Sequence, residues 1–270
     1  MPRHQYAPPL EALLTLGDPG GRGSELWDDP AKHGLTIEHI EDLIRMIGDG
    51  RLHRDREPVC WAPVHAWRAA AQLDPAGLIE PMIKILDRLA RWGDDFGLEE
   101  VPEVFALIGP ACLPSLAKLI QDQRRPLWAR VAGVSALMDI GADHPATRDD
   151  IINLVVNQLD RSPYNDPILN AFLVSLAVDL RLHEARYAVA LAYRCGDVDE
   201  SVVGTLPSVL EEMSMSKEEW RAVMRERYDE IERRLEVLPG LTLRTNSARP
   251  DGLEAHIPGA YDSAPNGVHE

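Results

Sequence analysis

Val104-Phe105-Ala106-Leu107-Ile108-Gly109-Pro110-Ala111-Cys112-Leu113-Pro114-Ser115-Leu116-Ala117-Lys118-Leu119-Ile120 decides the fold. One apolar helical run stops at Gly109-Pro110, and a second begins at Leu113. Glycine closes a helix and proline opens the next one, where its missing N–H costs nothing. The same grammar recurs along the chain. Ala66-Trp67-Arg68-Ala69-Ala70-Ala71-Gln72-Leu73 breaks at Asp74-Pro75, Val131 to Ile140 breaks at Gly141-Ala142-Asp143, and Ala171 to Leu180 breaks at Arg181-Leu182-His183. A second apolar helix follows each break. The recurrence, about every 32–40 residues, is the period of stacked helical hairpins.

Working outward, the spacing predicts helices over 8–16, 37–47, 61–73, 78–89, 99–108, 113–120, 128–140, 147–159, 167–180 and 184–193. A degenerate half-repeat follows over 202–213. Thr36 is positioned to cap the helix after it. Pro81 and Pro114 fall early in second helices, as first turns or kinks. Strand signals are weak. Ser216-Lys217-Glu218-Glu219 reads as a capping box opening a helix to Leu238. Its apolar stripe of Trp220, Met224, Ile231 and Leu235 fits a cap on the last repeat or a dimerisation helix. The expected organisation is a solenoid over 1–215, an amphipathic helix over 216–238 and a disordered tail over 239–270. The fold class is all-α, with about five right-handed hairpins.

Composition narrows the function. Apolar residues make up 45% of the chain, and the net charge is −16. That field repels phosphate, so neither nucleic acid nor an anionic membrane is an expected partner. Arg124-Arg125 reads as a solvated pair, and no apolar run reads as long enough to cross a membrane. Cys60, Cys112 and Cys195 are few, scattered and odd in number, without metal or redox spacing. A reducing, cytoplasmic setting follows, with no cofactor or metal expected. Gly17-Asp18-Pro19-Gly20-Gly21-Arg22-Gly23 lacks phosphate-loop spacing and reads as a flexible turn.

The helix break at Ile108-Gly109-Pro110-Ala111 and the second helix Leu113-Pro114-Ser115-Leu116-x-x-Leu119-Ile120 resemble HEAT repeats of the short bacterial, phycobilisome-lyase type. Trp61-Ala62-Pro63-Val64-His65-Ala66-Trp67-Arg68 and Leu98-Glu99-Glu100-Val101-Pro102-Glu103-Val104-Phe105 are similar to segments of bacterial HEAT-like proteins. The resemblance covers roughly residues 8–213. It implies a binding scaffold. The HEAT-type iron hydroxylase of deoxyhypusine uses repeated His-Glu pairs, and this chain has only His183-Glu184 within the array. HEAT-like DNA glycosylases need a basic channel. Similarity to bilin lyases stops at the repeat.

Trp61, His65, Arg68 and Gln72 share a helix face by i, i+4, i+7 and i+11 spacing. Matching Leu73 to Ile108 sets Arg68 against Glu103 and His65 against Glu100. Two readings stand for this face. One is a polar ladder that fixes the stacking of neighbouring repeats. The other is a recognition patch of Trp61, His65, Arg68, Asp94, Asp95, Glu99, Glu100 and Glu103 for a protein or peptide partner. Asp94-Asp95 and Glu99-Glu100 suit a helix start better than a cation. His33, His39 and His53 read as isolated. The expected function is non-enzymatic protein or peptide binding along a concave face, as a monomer or a weak dimer through the C-terminal helix. The alternative is an accessory or lyase-like enzyme acting through the His65 region.

Overall fold

The computed structural model describes residues 6–21 and 23–216, together with Glu219, Ala222 and Arg225. The described residues form helices joined by turns and loops and contain no strand. The α-helices are α1 (Ile40–Ile47), α2 (Ala62–Leu73), α3 (Ile79–Trp92), α4 (Asp95–Ile108), α5 (Leu113–Gln121), α6 (Leu127–Asp143), α7 (Arg148–Leu159), α8 (Pro167–Asp179), α9 (Arg186–Arg194), α10 (Glu200–Val203) and α11 (Leu206–Ser214). The chain forms two compact units, divided between Gln158 and Leu159.

In the first unit α2 packs on α4 and α4 on α6, while α3 packs on α5. In addition α1 lies against α2, α3 against α4, and α5 against α6. The core consists of Trp67, Phe105, Leu43, Met46, Met82, Leu86, Leu116, Leu137 and smaller neighbours, all sealed from solvent. Small residues let the helices approach closely. A methyl group on Gly133 of α6 would come within 2.9 Å of Leu119 Cδ2.

Local chemistry sets the helix ends. Asp94 accepts the Gly97 N–H at 2.9 Å and starts α4 at Asp95, four residues before the sequence spacing places it. Pro102 therefore lies inside α4 rather than in its first turn. Gly109 ends α4 with φ +79° and ψ −150°, a conformation open essentially to glycine. Pro81 and Pro114 fall in the first turns of α3 and α5, the first of the two placements expected for them. Residues 8–16 form a 3-10 helix over Leu10–Thr15 instead of an α-helix. The half-repeat divides at Gly204, with φ +89°, into α10 and α11.

Asp95–Gln121 is long enough, and in one 18-residue window of mean hydropathy 1.5 apolar enough, to cross a membrane by length and composition alone. It is interrupted at Gly109–Cys112, and its apolar residues pack on α3 and α6.

In the second unit α8 packs against α10 and α11, and α9 against α11. Ser216 and Glu219 form the expected capping box, with Ser216 N–H to Glu219 Oε2 at 2.7 Å and Glu219 N–H to Ser216 Oγ at 3.2 Å. The expected stripe of Trp220, Met224, Ile231 and Leu235 and the tail over 239–270 lie outside the described residues.

Candidate functional site

The residues singled out in the sequence divide into two groups. Arg68 and Glu100 are buried, at 4% and 0% exposure, so they do not belong to an exposed patch. Arg68 Nε donates to Glu100 Oε1 at 2.5 Å and Nη2 to Oε2 at 2.8 Å. Trp67 Nε1 adds a third donor to Oε1 at 3.3 Å. The expected partners are thus corrected. Arg68 takes Glu100 and not Glu103, and His65 takes neither acid. Aligning the last residues of α2 and α4 assumed that their ends stack level. The two helices have 12 and 14 residues, and the contact falls one turn nearer the start of α4.

The polar face of α2 is instead occupied by the chain's own N-terminal segment. His65 Nε2 donates to Gly17 O at 2.8 Å. Arg68 Nη1 donates to Pro19 O at 2.9 Å, and Nη2 to Gly21 O at 3.1 Å. Gln72 Nε2 donates to Asp28 O at 3.0 Å. From α4, Glu103 Oε2 accepts the Gly23 N–H at 2.7 Å. The Trp27 ring lies 5.6 Å from the Arg68 guanidinium carbon, within cation–π range. A charge buried in this way is tolerated because its donors are paired. The segment supplies that pairing on the side of Arg68 facing away from Glu100.

A cavity of about 40 Å³ remains under the segment, lined among others by Leu13, Pro19, His33, His65 and Arg68. It is far smaller than an ordinary ligand pocket of roughly 300–1,000 Å³. Burial pushes the His65 imidazole below its usual value, with Arg68 adding to the effect and the Gly17 bond opposing it. His33 Nε2 faces Asp28 Oδ2 at 3.6 Å.

The second group stays at the surface. Trp61 is half-buried, edge-on to Phe96 with centroids 5.1 Å apart, and its Nε1 donates to Glu57 Oε1 at 3.3 Å. Asp95 is exposed, and Asp94 and Glu99 are half-buried. Burial would raise the Asp94 carboxyl, but the nearby His53 imidazole and the hydrogen bond from the Gly97 N–H hold it below its usual value. Burial first, then Glu57, raises the Cys60 thiol. This rim is therefore acidic and aromatic.

Two of the three histidines read as isolated, His53 and His39, have hydrogen-bonded rings. His53 has a side chain only 3% exposed, 3.9 Å from Asp94 Oδ2, and its Nε2 meets Ile47 O at 2.9 Å. Its ring lies beside Trp92 and Trp67. His39 Nδ1 accepts the Thr36 N–H at 3.0 Å. Arg125 is also more than solvated, reaching Asp87 Oδ2 at 2.9 Å. Among the described residues no group of three His, Cys, Asp or Glu side chains is placed to hold a metal.

The second unit holds a charge cluster that sequence spacing did not reveal. Asp179 ends α8 with Oδ2 sealed from solvent and lacking a hydrogen-bond partner, although the residue as a whole is half-buried. Burial, and then the nearby Glu212, raise its carboxyl to about 7, against opposing effects of Ser175 and Arg181. Arg181, at φ +53°, donates through Nη1 to Met215 O after α11.

An all-α protein whose first helical layer carries its own N-terminal segment is the class that fold and site define. No family model, curated protein or solved structure matches the chain.

Proposed function

We propose that this chain is a cytoplasmic, non-enzymatic adaptor built as a HEAT-like right-handed solenoid, and that it binds a protein or peptide partner. The observation carrying this reading is the use of α2. His65, Arg68 and Gln72 hold main-chain carbonyls of a separate chain segment, which is the chemistry of peptide recognition. The successive contacts of α2, α4 and α6, and of α3 with α5, support the stacked-repeat part. The outer rim of Trp61, Asp94, Asp95 and Glu99 suits a basic segment of the partner, because a tryptophan among carboxylates offers apolar area and charge together.

The test is capture from native cytoplasm on the immobilised full chain, beside a Trp61→Ala/Asp95→Ala variant. A protein retained by the first and lost by the second supports the reading. Identical capture by both, or nothing above bare resin, overturns it.

A further inference from the structure

We propose that the α2–α4 face beneath Gly17–Gly23 is a peptide groove, that the glycine loop is its resident intramolecular ligand, and that a glycine- and proline-rich partner segment exchanges with it. This rests on the peptide-binding reading above and names the class of partner.

Four hydrogen bonds described across the groove are made to main-chain atoms of the loop. His65 and Arg68 take the carbonyls of Gly17, Pro19 and Gly21, and Glu103 takes the N–H of Gly23. Such a site selects a backbone path. The path runs through φ +76° at Gly17, +74° at Gly20 and +103° at Gly23. Only glycine follows it without steric cost. A partner must therefore supply glycine at the turning points, with small or proline residues between.

The floor and the occupant differ in stability. Arg68 is fixed from below by Glu100, which Trp67 also holds, so the floor keeps its shape when the loop lifts. Its outward N–H groups then lack acceptors and favour any incoming carbonyl. The loop itself is held by these polar contacts and not by apolar burial. Leu13 and Trp27 are buried at its two ends, but no described residue between them is. A segment with so little apolar burial opens locally far more readily than the helices beneath it.

The experiment uses a fluorescent synthetic peptide of residues 14–28 and the full chain carrying Gly17→Val/Gly20→Val. Space is available for the β-carbon of both substitutions. An added carbon at Gly20 meets nothing within 4 Å, and at Gly17 only Pro58 at 3.8 Å. The cost falls chiefly on backbone conformation, which favours release of the loop and alters no residue of α2 or α4. The peptide should bind the variant at least tenfold more tightly than wild type, and a further His65→Ala change should abolish the gain. Equal affinity for both chains overturns the proposal. So does absent binding to a folded variant whose Gly21 and Gly23 amides exchange freely. Dimerisation of the variant alone would assign the groove to a second copy and also overturn it. Should the double variant fail to fold, Gly20→Val alone is read the same way. Refusal of the peptide alongside Trp61-dependent capture would end this inference and leave the proposed function standing.

Discussion

Arg68 grips Glu100 with two nitrogens of its guanidinium, at 2.5 and 2.8 Å, and leaves Glu103, one turn further along α4, to the glycine loop. The pair ties α2 to α4 from inside and, through the outward face of the same guanidinium, ties the N-terminal segment to both. Stacking register and closure of the segment thus share one side chain.

The pair can be tested by a double-mutant cycle. Removing one member of a buried, hydrogen-bonded ion pair costs about 3–5 kcal/mol, because the other charge stays buried. Arg68→Ala and Glu100→Ala should each fall in that range in urea unfolding. The double variant should cost clearly less than their sum. Glu103→Ala loses the hydrogen bond to Gly23 at a half-buried site where its charge is not sealed in, so a cost clearly below that of Glu100→Ala is expected. Equal costs for Glu100→Ala and Glu103→Ala would contradict the observed register.

Gly109 carries the helix break that made the fold readable. Its φ of +79° with ψ −150° excludes other residues, and an added carbon would come within 2.9 Å of His144 Nε2. Gly109→Ala should cost about 1–3 kcal/mol. Gly93 has φ +68° and ψ 38° with open space around it, so Gly93→Ala should cost no more than about 1–2 kcal/mol. Thermal unfolding of the two variants, side by side, checks the order.

Punctuation of this kind explains what was legible. Glycine and proline at Gly109-Pro110 and the apolar spacing around them act locally, so the helical class and most helix bounds could be read residue by residue. The capping box at Ser216 and Glu219 is local too. The Arg68–Glu100 pair spans 32 positions and depends on how helix ends stack, which spacing does not record. Asp94 reads from the sequence as a helix-start acid, and nothing local shows that His53, from a separate turn, comes to face it. The glycine loop was the least legible element. Its composition shows freedom to bend, and nothing in it shows that its carbonyls are held by α2.

The two units should respond oppositely to acid. The Asp179 carboxyl keeps its proton up to about 7 when folded, and releases it near 3.8 when unfolded. Its contribution to stability is fully present below 3.8 and is lost as pH rises through about 7. The His65 imidazole, held below 6.5 when folded, works the other way, contributing above that value and losing it as pH falls. Hydrogen exchange, corrected for intrinsic rate, should therefore show α11 more protected at pH 6 than at pH 8. Asp179→Asn should remove that difference and stabilise the second unit at pH 8 by roughly 1 kcal/mol or more. A pH response of α11 that survives the substitution would move its origin elsewhere.

Trp61 separates the core of the first unit from its acidic rim. Trp67, one helical turn and a half further on, is sealed from solvent, and Trp67→Ala should cost about 3–5 kcal/mol. Trp61 is half-buried and contributes one edge contact to Phe96 and one hydrogen bond to Glu57. An aromatic pair is worth about 0.5–1.5 kcal/mol beyond its buried area, so Trp61→Ala should cost about 1–2 kcal/mol and leave the chain folded. The same change deletes the largest apolar surface on the acidic rim. Binding of a captured basic partner should weaken at least tenfold, while unfolding shifts only slightly. Loss of folding on Trp61→Ala would place the residue in the core and take the rim assignment with it. Retained folding with unchanged affinity would move partner binding away from this rim altogether.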